Sequence, residues 1–401
     1  MKTWFAERIG GKDFLTQTAI YKFEKIKRLK RQVLQTGADI LDMGIGEPSE
    51  MAYSVSVETL GREAGLLENN GYTDNGSEAF RAAVVDYMGR TFAVQLETAE
   101  VLHTTGTKSA LAMFALACIN PGDVALTTVP GYPVFGTHVQ YLGGEVYTMP
   151  LLESNAFLPD IDSIDPKILK RAKVLLLNYP NNPTGACASI EFFQKVIVWA
   201  KKHSILIIHD AAYAALYHDQ RPLSLLSLPG AKEVAVELHS MSKAFNMTGW
   251  RIGWVCGNKT IVDAYGYIKQ NTDSGQYLPI QNAAAKTLSM PDLNTATIAR
   301  YKERKDALLN ILNAAGFSTR DTAAGFFLYA RSPGVISYRG QKLTFASAEH
   351  FSLWLLENLH ILCVPWDEAG PYLRFSLTFP SANDASFFQT LTTRLQTLTI
   401  L

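Results

Sequence analysis

The stretch HSMSKAFNMTGWRIGW (residues 239–254) sets Ser240, Ser242 and Lys243 close together, with Arg251 eight positions beyond the lysine and no acidic residue among them. A lysine kept apart from carboxylates is suited to becoming a neutral amine that attacks a carbonyl. Three other stretches carry polar groups of a matching kind. HTTGTKSAL (103–111) places Gly106, Thr107 and Lys108 at a helix start, where free backbone N–H groups and a cation can cradle a phosphate. NYPNNPTG (178–185) presents Asn182 from a proline-stiffened loop, and HDAAY (209–213) ends an apolar strand on Asp210, with Tyr213 three residues on. Singly, each has an ordinary reading as a capping serine, an N-cap aspartate or a surface cation.

Together they form a set. Thr107, Lys108, Ser240, Ser242 and Arg251 supply phosphate ligands, and Asp210 a carboxylate able to hold a ring nitrogen protonated. Asn182 and Tyr213 can hold a phenolate oxygen, which leaves Lys243 for an imine. Those are the requirements of pyridoxal 5'-phosphate.

The elements that must position these groups can be read from the pattern. From about residue 75 to 260 helical and strand-like segments alternate. DVALTTV, KVLLLNY, ILIIHDAAY and VAVELHS are strands, while ALAMFALACI and SIEFFQKVIVWAKKH are helical. Continuous apolar strands between helices predict an α/β fold with a mostly parallel sheet buried on both faces. Ligands of such sheets lie beyond the carboxyl ends of the strands, where Asn182, Asp210 and Ser240 fall. The N-terminal segment TAIYKFEKIKRLKRQVLQTG (18–37) reads as a basic amphipathic helix, followed by the short strand and Gly/Pro loop of ADILDMGIGEP. Past about residue 285, long helices alternate with GFFLYARSP, ILCVPWD and YLRFSLTF. The expected organisation is a large domain over 46–285 and a smaller α+β domain built from 1–45 and 286–401.

Composition narrows the function classes. Lys plus Arg and Asp plus Glu each total 37, so no global field draws nucleic acid or an anionic membrane. Cys118, Cys187, Cys256 and Cys363 form no CxxC pair, which argues against a zinc site or disulfide framework and for a reducing compartment. The opening MKTWFAERIGGKDF lacks an apolar signal region, and no apolar run can span a bilayer, so a cytoplasmic location is expected. No GxGxxG or GxxxxGK[ST] occurs in a nucleotide-binding context.

The motifs PNNPTG, DAAY and SxSKxxxxxGxRxG, in this order and spacing, resemble those of the class I/II (fold type I) aminotransferases, and the resemblance covers nearly the whole chain. It implies that Lys243 is the Schiff-base lysine and proton carrier, Asp210 the partner of the pyridine nitrogen, and Asn182 and Tyr213 the partners of the ring oxygen. It further implies that Tyr132 in PGYPVF stacks on the ring and that Arg374 in YLRFSL grips the substrate α-carboxylate. Tyr72 in NGYTDNG would reach the phosphate of a neighbouring subunit, which makes the expected unit a homodimer acting on amino acids and 2-oxo acids. Within the family, IYKFEKIKR and GIGEPSE resemble the LL-diaminopimelate aminotransferases. That likeness implies Tyr21 near the substrate, Gly46 near its α-carboxylate together with Asn182, and Glu50 near a distal ammonium. NTDSGQYLPIQ (271–281) departs from the segment that faces the substrate tail in that group. Aspartate, alanine or aromatic amino acid transamination, or a β-lyase of the same fold, would keep Lys243 and Asp210 and differ in the bond handled. A non-catalytic regulator would carry an added DNA-binding module.

Overall fold

The structure is a computed structural model in which residues 4–11 and 22–401 are described. The chain divides into two compact units. One comprises residues 47–302 with 322–325; the other joins residues up to 46, 303–321 and 326–401. The last long helix before the C-terminal strands, Thr295–Ala314, passes from one unit to the other between Lys302 and Glu303. A helix is continuous in its hydrogen bonds, so composition at 285 carries no mark of that division.

After the two-residue strand β1 (Leu41–Asp42), seven strands build the sheet of the larger unit. They are β2 (Val101–Thr104), β3 (Val124–Val129), β4 (Glu145–Pro150), β5 (Ala172–Asn178), β6 (Leu206–Asp210), β7 (Ala235–Ser240) and β8 (Gly253–Gly257). The order is β2-β8-β7-β6-β5-β3-β4. All pairings are parallel except the two made by β8. Runs such as VLLL in β5 and AVEL in β7 are buried throughout, as a sheet covered on both faces requires. The α/β fold with a mostly parallel sheet is thus the observed one.

Helices cover that sheet for reasons visible in their sequences. Helix Ile190–His203 starts at Ser189, whose side chain accepts the Phe192 N–H, and stops where Ser204 turns left-handed at φ 53°. Its Phe192, Phe193, Val196, Ile197 and Ala200 face inward. Helix Thr107–Cys118 is more apolar, and its Phe114 stacks on Tyr265 with ring centroids 5.0 Å apart.

Among the described residues, the smaller unit holds three short sheets. β9 (Phe327–Arg331), β10 (Val335–Tyr338), β11 (Gln341–Thr344), β12 (Ile361–Leu362), β13 (Val364–Trp366), β14 (Tyr372–Ser376) and β15 (Leu398–Ile400) supply the strands. Their orders are β13-β14-β9 and β11-β10-β15, both antiparallel, with β1 parallel to β12. The N-terminal helix spans Lys22–Gln35, and Gly37 follows it at φ 80°. Tyr21 and the rest of the segment before Lys22 lie outside the described residues, apart from 4–11. Among the described residues no helix is long and apolar enough to cross a membrane, and no His/Cys/Asp/Glu cluster could hold a metal ion.

Candidate active site

Parallel pairing brings the carboxyl ends of β5, β6 and β7 side by side. Asn178 is the register partner of Asp210, and Asp210 that of Leu238, two residues short of Ser240. The loop after β5 then starts under control of Asn178. Its Nδ2 donates to the Asp210 carbonyl at 2.8 Å and its Oδ1 accepts the Asn182 N–H at 2.9 Å. Asn178 is buried and was not among the residues expected to matter. Its signal was only that a polar amide ends an otherwise apolar strand.

Asp210 is buried, and its Oδ1 accepts the Ala212 N–H at 3.2 Å. Burial raises its carboxyl from the ordinary range to about 6, against the opposing pull of that N–H, of His209 and His239, and of Lys243. Lys243 therefore has a carboxylate within electrostatic reach after all; its isolation from acids is a property of the sequence, not of the folded site. The lysine sits on the short helix Met241–Ala244 that follows β7, with Nζ 5.9 Å from the centre of the Tyr213 ring. Lys243 is half-buried and Tyr213 buried.

Ser240 caps that short helix by accepting the Ser242 N–H at 3.0 Å. Arg251 folds back over the same turn, its Nη1 donating to Ser242 Oγ at 3.3 Å and to the Thr248 carbonyl at 2.5 Å. The Arg251 backbone is left-handed at φ 56°, a conformation that costs a residue with a side chain and needs external support. Gln276 supplies it: Nε2 donates to the Arg251 carbonyl at 2.6 Å and to the Trp250 carbonyl at 2.8 Å. Gln276 belongs to the segment 271–281 that departs from the expected pattern, so part of that segment braces the arginine.

The guanidinium of Arg251 also faces the start of helix Thr107–Cys118. Gly106 caps that helix at φ 81°, and a Cβ added there would collide with Arg251 Nη2. Glycine is required both for the backbone angle and for the close approach. Free helix N–H groups and a guanidinium thus converge, and Ser240, Ser242 and Thr107 stand on the two elements that converge. Lys108 is exposed on the first turn of helix Thr107–Cys118. Tyr132 is half-buried and packs against the core cluster of the sheet.

Tyr72 is 87% exposed. The loop bearing it is held by Thr73, whose Oγ1 donates to the Gln276 carbonyl at 2.7 Å and accepts from Gln281 Nε2 at 2.9 Å. The same residue, Gln276, thereby touches both the Tyr72 loop and Arg251. Glu50, also exposed, forms an ion pair with Arg300. Helix Thr295–Ala314 thus brings to Glu50 a cation that lies 250 residues away in sequence.

A second constellation lies in the smaller unit. Arg374, in the middle of β14, is 3% exposed, with its guanidinium 4.2 Å from the centre of the Phe327 ring. Nη2 donates to the Gly44 carbonyl at 3.0 Å, and a Cβ on Gly46 would lie 3.8 Å from the same nitrogen. The glycine loop and Arg374 thus form one arrangement, a planar fork beside backbone that a carboxylate can approach.

The aminotransferase class I and II family model matches residues 38–390 of this chain. Among curated proteins, the LL-diaminopimelate aminotransferase of Methanocaldococcus jannaschii is 47% identical over 384 residues, covering 95% of this chain and 91% of that protein. The enzyme of the same name from Aquifex aeolicus is 38% identical over 369 residues, covering 90% and 93%. Among solved structures, substrate-bound BacF from Bacillus subtilis superposes with a TM-score of 0.88 at 31% identity, covering 96% of this chain and 98% of that one. The chain belongs to the class I and II aminotransferases, a family of pyridoxal-phosphate-dependent transaminases.

Proposed function

We propose that this protein is an LL-diaminopimelate aminotransferase that uses pyridoxal 5'-phosphate, exchanging LL-2,6-diaminopimelate and 2-oxoglutarate for tetrahydrodipicolinate and glutamate in lysine biosynthesis. The reaction type is carried by one observation: a buried carboxyl, Asp210, within electrostatic reach of the half-buried Lys243. The substrate rests on near-full-length likeness to proteins of that name from two organisms.

The residues fit the cofactor. A dianionic phosphate suits the Gly106 turn, where any side chain would fill the space under Arg251. A protonated pyridine nitrogen suits Asp210, a buried carboxyl whose ionised form a cationic partner would stabilise. When bound, the cofactor supplies the electron sink that makes the substrate α-proton removable. Lys243 Nζ then carries that proton between the substrate α-carbon and the acceptor carbon. Asp210 holds the ring nitrogen in its protonated form, Asn182 and Tyr213 direct hydrogen bonds to the ring oxygen, and Tyr132 covers the ring. Thr107, Ser240, Ser242 and Arg251, with Lys108 at the margin, hold the phosphate. Arg374, beside Gly46, takes the α-carboxylate as a bidentate fork, with Asn182 and Tyr21 as further substrate contacts.

Diaminopimelate carries an ammonium and a carboxylate at its far end. Glu50 and Arg300 together offer one charge of each sign, so a zwitterionic tail can address both members of the pair. A panel of donors with 2-oxoglutarate tests the assignment in purified protein. LL-diaminopimelate is expected to give the highest kcat/KM, and Glu50→Gln should lower it by about 10- to 150-fold, the worth of one charged hydrogen bond. Aspartate or an aromatic amino acid reacting far faster than LL-diaminopimelate would overturn the substrate and leave the transaminase.

The working unit is proposed to be a cytoplasmic homodimer in which Tyr72 serves the partner's phosphate. Its 87% exposure within one chain is what such a role requires. Mixed Tyr72→Ala and Lys243→Ala chains should then regain activity, because each heterodimer contains one intact site. No recovery after proven subunit exchange would remove Tyr72 from the partner's site.

A further inference from the structure

The loop that carries Tyr72 interlocks with the loop that follows helix Lys259–Gln270. Gly275 has φ 91°, and a Cβ there would lie 2.4 Å from Thr73 Oγ1 and 2.7 Å from the Asp74 backbone nitrogen, so only glycine lets the loops meet this closely. Lys269, fully buried near the end of that helix, pairs with Asp273 and donates to the Asp74 carbonyl at 3.3 Å. Asp273 Oδ1 in turn accepts the Gly275 N–H at 2.9 Å.

At the centre of this joint the Thr73 hydroxyl is used to capacity, one bond donated and two accepted. It donates to the Gln276 carbonyl at 2.7 Å and accepts the Gln276 N–H at 3.0 Å and Gln281 Nε2 at 2.9 Å. Gln281, also fully buried, carries the hold to the far end of the Tyr72 loop, where its Oε1 accepts the Ser77 N–H at 2.8 Å. Gln276 carries it to Arg251. The Trp250 and Arg251 carbonyls that Gln276 Nε2 holds belong to the two peptide planes flanking the Arg251 α-carbon. Rotation between those planes is φ and ψ, so one carboxamide fixes the left-handed Arg251 backbone. Carbonyl oxygens only accept, so the amide nitrogen must be the atom that faces them.

We propose that Thr73 and Gln276 are positioning residues for two cofactor sites at once: Gln276 sets Arg251 for the phosphate of its own subunit, and Thr73 sets the adjoining Tyr72 for the phosphate of the partner. A side chain as exposed as Tyr72 has little packing of its own to direct it, so its direction comes from the backbone beneath. The proposal rests on reading Arg251 and Tyr72 as phosphate ligands.

The test measures pyridoxal phosphate affinity of cofactor-free protein by equilibrium dialysis, with no amino acid present. Thr73→Val, which keeps the shape and removes all three hydroxyl bonds, should weaken binding about tenfold in a Tyr72→Ala background and about tenfold in an Arg251→Ala background. One arm of the joint remains in each. Thr73→Ser should restore affinity in both, and Thr73→Ala should repeat the loss where the valine variant does not fold. No loss in either one of the backgrounds would confine Thr73 to a single ligand and overturn the proposal. In mixed Tyr72→Ala and Lys243→Ala chains, assayed with whichever amino donor proves active, Thr73→Val should raise the cofactor requirement of the one intact site from either chain. An effect from one chain only would also overturn it. Native affinity in Tyr72→Ala or Arg251→Ala alone, or no recovery in the parent mixture, would instead strike the ligand reading on which the proposal stands.

Discussion

Lys243→Ala is expected to abolish transamination, with kcat falling by more than about 10⁴-fold, the upper range for loss of a positioned general base. Among the described residues no other lysine combines a strand-end position with the surroundings of Lys243: half-buried, its Nζ over the Tyr213 ring and near the Asp210 carboxylate. Lys108, the nearest rival by motif, is exposed on the first turn of its helix. Borohydride treatment of native protein loaded with pyridoxal phosphate should fix the cofactor to the peptide containing Lys243. Cofactor fixed elsewhere, or an alanine variant with normal turnover, would show the assignment to be wrong.

Asp210→Asn is expected to lower kcat by about 10²-fold or more, equivalent to about 2.7 kcal/mol of barrier. A neutral amide keeps the shape of the site but cannot hold a ring nitrogen protonated. The stability of the cofactor-free protein should respond in the opposite sense. Because burial raises the Asp210 carboxyl to about 6, the folded state binds a proton that the unfolded chain has already released between the ordinary aspartate range and that value. Stability from this group is present at acid pH and is lost as pH climbs through that window. The amide carries no such penalty, so at pH 8 the cofactor-free variant should melt no lower than the native protein while binding pyridoxal phosphate more weakly. A near-native kcat would remove Asp210 from the mechanism; a large fall in melting temperature would mean that its role is structural.

Most of the larger unit was legible in the sequence because its signals are local. Apolar runs such as VLLL and LIIHD between turn residues read as buried strands, and a polar residue at the end of each falls where ligands of such a sheet are expected. Asp210, Ser240, Lys243 and Gly106 needed nothing more to be found. Asn178 was passed over because its work, joining the Asp210 carbonyl to the Asn182 N–H, depends on two neighbouring strands. Gln276 drew no notice for the same reason: the carbonyl it supports belongs to Arg251, which is distant in sequence.

By itself the sequence determined the kinds of groups available and the strand ends that present them, since period and polarity are properties of a few consecutive residues. It also set Lys243 in a stretch, 239–254, that holds no acidic residue. The tertiary structure alone decided that this lysine nevertheless lies near a carboxylate and that Glu50 meets Arg300. Electrostatic energy depends on separation in space and on burial, and strand register and helix packing set both only once the chain has folded.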